Sequence, residues 1–402
     1  MCGRKTNHTA LLILKLLKIF NFMKTDVSFW PVLQGVAIVA GTIIGAGVLG
    51  VPYAISQVGV VAGGVLLLLV GFCMTLVMLY VADVAATLRG RHQLAGYIEK
   101  YLGSTAKKVL TIALAINIYG AMLGYTIGQG TVLASLFTGS EFLWSVIFFS
   151  LFSLFIVFGI HVIKRVEVFL TALVALLLVA IIVYISPSIQ VNELSLYKDL
   201  SAVDVLTTYG ILLFACFGLT AVPQVREILK HEQPQLFKRA VFIGAVVPVV
   251  LYGAFAFAVL GVTGDKTSNI ATLELGNQVG TLMVLMGSVL AFFAMASSFV
   301  ALGLALRTIY EHDYGLPSYL AVLITLLVPI ALFVLGLRDF IEVVSFVGGL
   351  SISLVGMVIV VLHFRMRSLL GERKTVVQYF LYSIVFIIFL VGMLSTIVSR
   401  LI

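Results

Sequence analysis

Gln34 to Gln57 reads QGVAIVAGTIIGAGVLGVPYAISQ, an uncharged apolar stretch long enough to cross a bilayer, and its middle, Gly41 to Gly50, carries four glycines. Each glycine weakens a helix by up to about 1 kcal/mol relative to Ala, so this density predicts a helix broken near the membrane midplane. A break exposes backbone N–H and C=O groups, which a membrane tolerates only where they line an enclosed cavity or hold a ligand. Half-helix ends that meet at such a point aim donors and acceptors at a common spot. Close helix packing is the competing reading of the same glycines. Pro52 and Tyr53, just beyond, predict a second interruption.

The surrounding chain fits a membrane setting. Of its 402 residues 61% are hydrophobic and only 10% charged, with mean hydropathy +1.18, which excludes a soluble globular domain. Hydropathy predicts eleven spans, near residues 30–57, 59–87, 107–136, 142–160, 166–186, 203–229, 239–262, 278–309, 317–336, 340–364 and 376–399. With the N-terminus cytoplasmic, only Lys198, Lys266, Arg338 and Arg400 of the 25 basic residues fall outside. The net charge of +8 is therefore topological, and nucleic acid is not an expected partner. Cys2, Cys73 and Cys216 form no outward-facing pair, so no disulfide framework is expected. The segment TALLILKLLKIFNF, Thr9 to Phe22, is too short to span; residues 1–28 read as a cytoplasmic tail with an interfacial helix, or as a start site placed upstream of Met23.

The chain divides into a first repeat, residues 29–187 with spans 1 to 5, a second, residues 188–367 with spans 6 to 10, and residues 368–402 with span 11. Five spans per repeat invert the second against the first. Its leading span, TYGILLFACFGLTAVPQVREIL from Thr208 to Leu229, is interrupted too, by Gly218 and by Pro223 one turn on. Paired interruptions at corresponding places in two halves are the best sequence pointer to a transporter's binding site. Residues 92–103 read as a short amphipathic surface helix, and residues 267–277 as an outside loop, helical or not, over the entrance.

Three motifs, GTIIGAGVLGVPYA (Gly41–Ala54), LLFACFGLTAVPQV (Leu212–Val225) and FFAMASSFVALGLAL (Phe292–Leu306), together resemble the amino acid/polyamine/organocation superfamily. Within it the chain is most similar to the amino acid/auxin permeases and the bacterial tryptophan and tyrosine permeases, from residue 30 onward. The resemblance implies an all-α membrane protein with the five-plus-five inverted-repeat, leucine-transporter-like fold, its substrate and ion held between broken spans 1 and 6. Carried onto this sequence, it implies substrate contacts at Thr42, Gly45, Ala46 and Gly47, whose N–H groups at 45 to 47 would face the carboxylate. Phe214, Ala215, Cys216, Phe217 and Gly218 would offer carbonyls to the ammonium, with Phe217 a candidate gate. The family's sodium site maps to carbonyls of Gly41, Ile44 and Ala294 and hydroxyls of Ser297 and Ser298. Adjacent serines also occur as packed, back-bonded residues.

On span 3, one or two of Asn117, Tyr119, Tyr125 and Gln129 can face the site, and Tyr119 is the candidate. Proton coupling needs a titratable group near the midplane, yet Asp83, Arg226, Glu227 and His363 lie near span ends. Some proton-coupled relatives place a Lys in span 5 over the sodium position, and span 5 here has none. Asp83 reads as an end-of-helix residue meeting water or Arg89. The expected function is a plasma-membrane secondary transporter importing a neutral, hydrophobic or aromatic L-amino acid by cation symport. A proton-coupled permease of another small amino acid or amine is the alternative. A channel would want a continuous polar lining, and an enzyme clustered His, Asp or Glu. No cofactor is expected beyond Na+ or H+ as coupling ion, and no partner beyond substrate and lipid; no obligatory protein partner is evident.

Overall fold

The computed structural model describes residues 29–45, 47–88, 94–159, 163–229, 234–372 and 375–398; the expected N-terminal tail, residues 1–28, lies outside them. All regular structure among the described residues is helical. Eight helices are individually long and apolar enough to span, and a ninth span is the pair Trp30–Ile43 and Gly47–Val58, bent by 58°. The shorter apolar helices Ala202–Ala215 and Ser318–Val334 complete the predicted spans.

Span 1 comprises Phe29–Ile43 and Gly47–Val58, and span 6 comprises Ala202–Ala215 and Ala221–Ile228. Span 2 is Val60–Thr87, span 3 Ser104–Leu136, span 4 Glu141–Phe158, span 5 Ile163–Ile185, span 7 Pro234–Thr263 and span 8 Thr281–Thr308. Span 9 is Ser318–Val334, span 10 runs over Phe340–Leu369 and span 11 is Val376–Val398. The second interruption expected at Pro52 does not occur: the helix from Gly47 to Val58 runs through it. Pro223 is the third residue of its half-helix, where an N–H would lack an intrahelical acceptor in any case, so it suits a helix start. Span 10 instead carries an unpredicted π turn at Gly348–Ile352, packed where Gly348 meets the backbone of Gly210.

Hydropathy does not distinguish lipid-facing from enclosed spans, but small residues do. Spans 3 and 10 are 78% buried over their apolar windows, against 22% for span 5 and 28% for spans 4 and 11. A Cβ at Gly120 would run into Val347, one at Gly128 into Met295 and one at Gly130 into Ser145, so these glycines bring helices together rather than widening a pocket.

The predicted surface helix forms, as Leu94–Leu102, and the segment left open as an outside loop, helical or not, is helical over Ala271–Val279. The first buries Leu94, Ala95, Tyr97 and Ile98 on the face with the start of span 1 and with Lys238, Arg307 and Arg367, here called the basic face. The second sits at the opposite face against spans 7 and 8 and the outer half of span 1. There Val60 N–H donates to Ser195 O at 3.0 Å, Gln190 N–H to Gly261 O at 2.7 Å, and Lys198 pairs with Asp265 at 2.7 Å. These ties close the opposite face.

Candidate functional site

The breaks free specific backbone groups. In a continuous helix Gly45 N–H would donate to Gly41 O and Val48 N–H to Ile44 O. Here Gly45 N–H turns to Ile43 O at 2.7 Å and Val48 N–H to Gly45 O at 3.3 Å, so the carbonyls of Gly41 and Ile44 lose their helical partners. In span 6, Ala221 N–H donates to Gly218 O at 3.1 Å and Val222 N–H to Leu219 O at 3.3 Å, which likewise releases Phe217 O. Tyr252 of span 7, fully buried, joins the two breaks: its hydroxyl lies 2.6 Å from Ile43 O and 3.3 Å from Ala215 O. Sequence reading missed it, although a tyrosine inside an apolar span signals a hydroxyl in need of a partner.

The breaks border a cavity lined by Gly41, Thr42, Ile43, Gly45 and Gly47 of span 1 and by Asn117, Ala121 and Tyr125 of span 3. Thr171 of span 5, Phe214, Phe217, Thr220 and Gln224 of span 6, and Ser297, Ser298, Ala301 and Leu302 of span 8 complete it. Tyr125, Phe214 and Gly47 are buried, whereas Gln224 in the basic-face half of span 6 is exposed. The cavity therefore opens toward the basic face. No Asp, Glu, Lys, Arg or His lines it. A charged substrate side chain would find no counter-ion there, which favours a neutral one.

Several expectations need correction. Gly45 N–H is engaged by Ile43 O, so it does not offer itself to a carboxylate; Gly47 opens the second half-helix. Neither glycine has a positive φ, so space rather than backbone conformation requires them. A Cβ on Gly47 would come within 2.5 Å of Ala215 Cα, and one on Gly45 within 2.8 Å of Ser298 Oγ. Ala46 lies outside the described residues. Ala215, Cys216 and Gly218 sit behind the lining: Ala215 backs Gly47, Gly218 backs Ile43 and Met78, and Cys216 is buried. Tyr119 is not at the cavity. Its hydroxyl bonds that of Tyr310 at 2.7 Å, and it lines a separate apolar recess between spans 3, 9 and 10. Asn117 and Tyr125 take the place expected of it, because a helix turns residue 119 about 200° away from 117. Gln129 is buried and reaches Ala291 O at 3.4 Å instead of the cavity.

The five candidate cation ligands are all neutral oxygens. Gly41, Ser297 and Ser298 line the cavity, and Ile44 and Ala294 are buried beside it. Ser297 Oγ donates to Phe293 O at 2.7 Å, the back-bonded arrangement of a packing serine, and this also turns its lone pairs outward for a cation. Ser298 hydrogen-bonds Tyr125. At the span 5 position facing the break, Thr171 packs on Gly41 and presents a hydroxyl, not an ammonium. Among the described residues no cluster of His, Cys, Asp or Glu suits a transition metal.

A cluster of ionisable side chains lies elsewhere. Asp83 at the end of span 2 pairs with Lys238 of span 7, and its other oxygen lies 3.1 Å from His363 Nε2 of span 10. Tyr382 of span 11 lies 2.8 Å from His363 Nδ1, and Tyr80 stacks on the imidazole at 4.3 Å. Asp83 is thus the hub of an interhelical network rather than a helix end meeting water; Arg89 lies outside the described residues.

Two broken spans around an uncharged cavity, among eleven spans, define the leucine-transporter-like fold. The solved structure of MhsT in complex with L-phenylalanine has this fold: TM-score 0.64 at 15% identity, over 91% of this chain and 98% of that one. The chain belongs to the tryptophan/tyrosine permease family, whose model matches residues 30–399. It is 21% identical to glutamine transporter 2 of Aliivibrio fischeri over 79% of this chain and 84% of that one. It is 24% identical to tyrosine-specific transport system 1 of Haemophilus influenzae over 54% of each. It is 26% identical to amino acid transporter AVT3A of Arabidopsis thaliana over 62% of each. The protein is an amino acid transporter, and its family and fold are those of transporters rather than enzymes.

Proposed function

We propose that the protein imports a neutral L-amino acid with a large side chain, together with sodium, across the plasma membrane, with the basic face cytoplasmic. The carrying observation is the release of Gly41 O and Ile44 O at the break, beside Ser297 and Ser298 and one turn from Gly47. Backbone carbonyls and hydroxyls without a carboxylate suit a hard monovalent cation. The positive end of the half-helix at Gly47 and the freed carbonyls of span 6 suit the carboxylate and ammonium of one zwitterion. Outward and inward access then alternate as the ties at the opposite face open and the basic-face mouth closes.

Proton coupling is the second reading, and the Asp83–His363–Tyr382 network favours it, since an imidazole hydrogen-bonded to a carboxylate on one nitrogen and to a phenol on the other joins groups that exchange protons. Counterflow of labelled amino acids in proteoliposomes decides between them. Uptake driven by a sodium gradient at equal pH supports the first reading; uptake that ignores sodium and follows an imposed pH gradient replaces it with the second.

A further inference from the structure

We propose that Asn117 is a specificity-determining residue, whose side-chain amide hydrogen-bonds a polar group at the far end of the substrate's side chain. The proposal rests on the transport reading above and says which neutral amino acids that site prefers. Asn117 is 2% exposed and lines the cavity, and its Nδ2 has no hydrogen-bond partner. Three other polar lining groups are closed on their own helices. Thr42 Oγ1 donates to Ile38 O at 2.8 Å, Ser297 Oγ to Phe293 O at 2.7 Å and Gln224 Nε2 to Thr220 O at 3.5 Å. A buried amide without a partner is unfavourable, and a purely apolar substrate would leave it so.

Its position fits the far end of a bound amino acid. Tyr125, which touches Ser298 beside Gly45, is eight residues further along span 3, about 12 Å of helix rise. Ala121, whose side chain is a single methyl, lines the same cavity. A substrate whose amino and carboxyl groups sit at the breaks thus extends its side chain past Ala121 to Asn117. The amide offers both a donor and an acceptor, so a phenol hydroxyl and a carboxamide both satisfy it, and matched pairs separate the two.

The test is competition counterflow in proteoliposomes with two pairs of similar size, tyrosine against phenylalanine and glutamine against methionine. The unmodified protein is expected to prefer the polar member of at least one pair by about ten-fold, the worth of one buried hydrogen bond. Asn117→Leu is expected to abolish that preference, read as the ratio of half-maximal competing concentrations for the polar and the apolar member of the pair. Asn117→Ser, smaller and still polar, should lie between and guards against a folding defect, with thermal stability in detergent as control. Discrimination in the tyrosine pair alone identifies a phenol as the recognised group, and in the glutamine pair alone a carboxamide. No discrimination by the unmodified protein, or discrimination that survives Asn117→Leu, overturns the assignment while leaving the transport reading intact. Absence of counterflow for every amino acid overturns both.

Discussion

The midplane cavity and the basic-face ends of spans 2, 7, 10 and 11 solve opposite problems. Around the cavity the chain presents neutral oxygens and helix ends, with no ionisable side chain other than Tyr125 in the lining. Around Asp83 it concentrates a carboxylate, an ammonium, an imidazole and two phenols within one packed cluster. Fixed charge in the cavity would have to be desolvated every time the site closed, whereas released carbonyls bind and let go of a cation without leaving a buried charge behind. At a membrane edge the same desolvation is partial, so Asp83 stays 23% exposed in its side chain and can be held by Lys238 and His363. On the proposed sodium reading, coupling and conformational holding fall to separate places along the same bundle.

The largest expected effect tests the first region. Gly47→Val brings a side chain against the backbone of Ala215, which has no rotamer to give way, so the two breaks must separate. Uptake should fall by at least about a hundred-fold while the protein still inserts. Near-normal uptake would reduce the break to a packing feature. Gly45→Ala, which meets only the Ser298 hydroxyl, should be milder and should act mainly on ion affinity.

Next in size is Ser297→Ala with Ser298→Ala, which removes two of five proposed ligands. The sodium concentration for half-maximal uptake should rise by about ten-fold or more, and weak substrate binding should persist because the breaks remain. Substrate and sodium must tighten each other by the same factor, so isothermal binding of either alone checks the result. Sodium dependence that survives the double change would break the comparison at its midplane side.

How much of this was legible in the sequence depended on the kind of signal. Both breaks were readable, because glycines and a proline within apolar spans have a direct backbone consequence. The wall of span 3 was not: Asn117, Tyr119, Tyr125 and Gln129 share one helix, and only packing against spans 8, 9 and 10 decides which side each faces. Tyr252 is a contact between residues 209 apart in the chain, which no local pattern encodes. The Asp83 network joins four spans in the same way, so its members look like separate span-end residues when read singly.

Tyr252→Phe sharpens the link between the breaks. It leaves the buried Ile43 and Ala215 carbonyls without this donor, which costs about 1–3 kcal/mol. A lower melting temperature in detergent and uptake reduced several-fold are expected; unchanged stability would mean that water replaces the hydroxyl. Asp83→Asn tests the second region. It removes the charge facing Lys238 at a partly exposed position, so a change of two- to five-fold in maximal rate, with sodium dependence retained, is expected. Loss of ion dependence here, with the serine pair silent, would reverse the two regions' roles and make His363 the proton carrier.

The smallest expected effect marks the edge of the cavity. Tyr119→Phe deletes a hydroxyl that bonds Tyr310 at 2.7 Å and faces the recess between spans 3, 9 and 10. Tyr310 keeps its own hydroxyl, and the pair is only half-buried, so the lost bond should lower stability by no more than about 1 kcal/mol. Substrate affinity and sodium dependence should then stay within two-fold of the unmodified protein, in contrast to the change expected two residues earlier at Asn117. A large loss of affinity at 119 would mean that span 3 rotates during transport to bring a second face to the substrate. The cavity open to the basic face would then be only part of the binding surface, and competition counterflow on the Tyr119 and Asn117 variants side by side measures that directly.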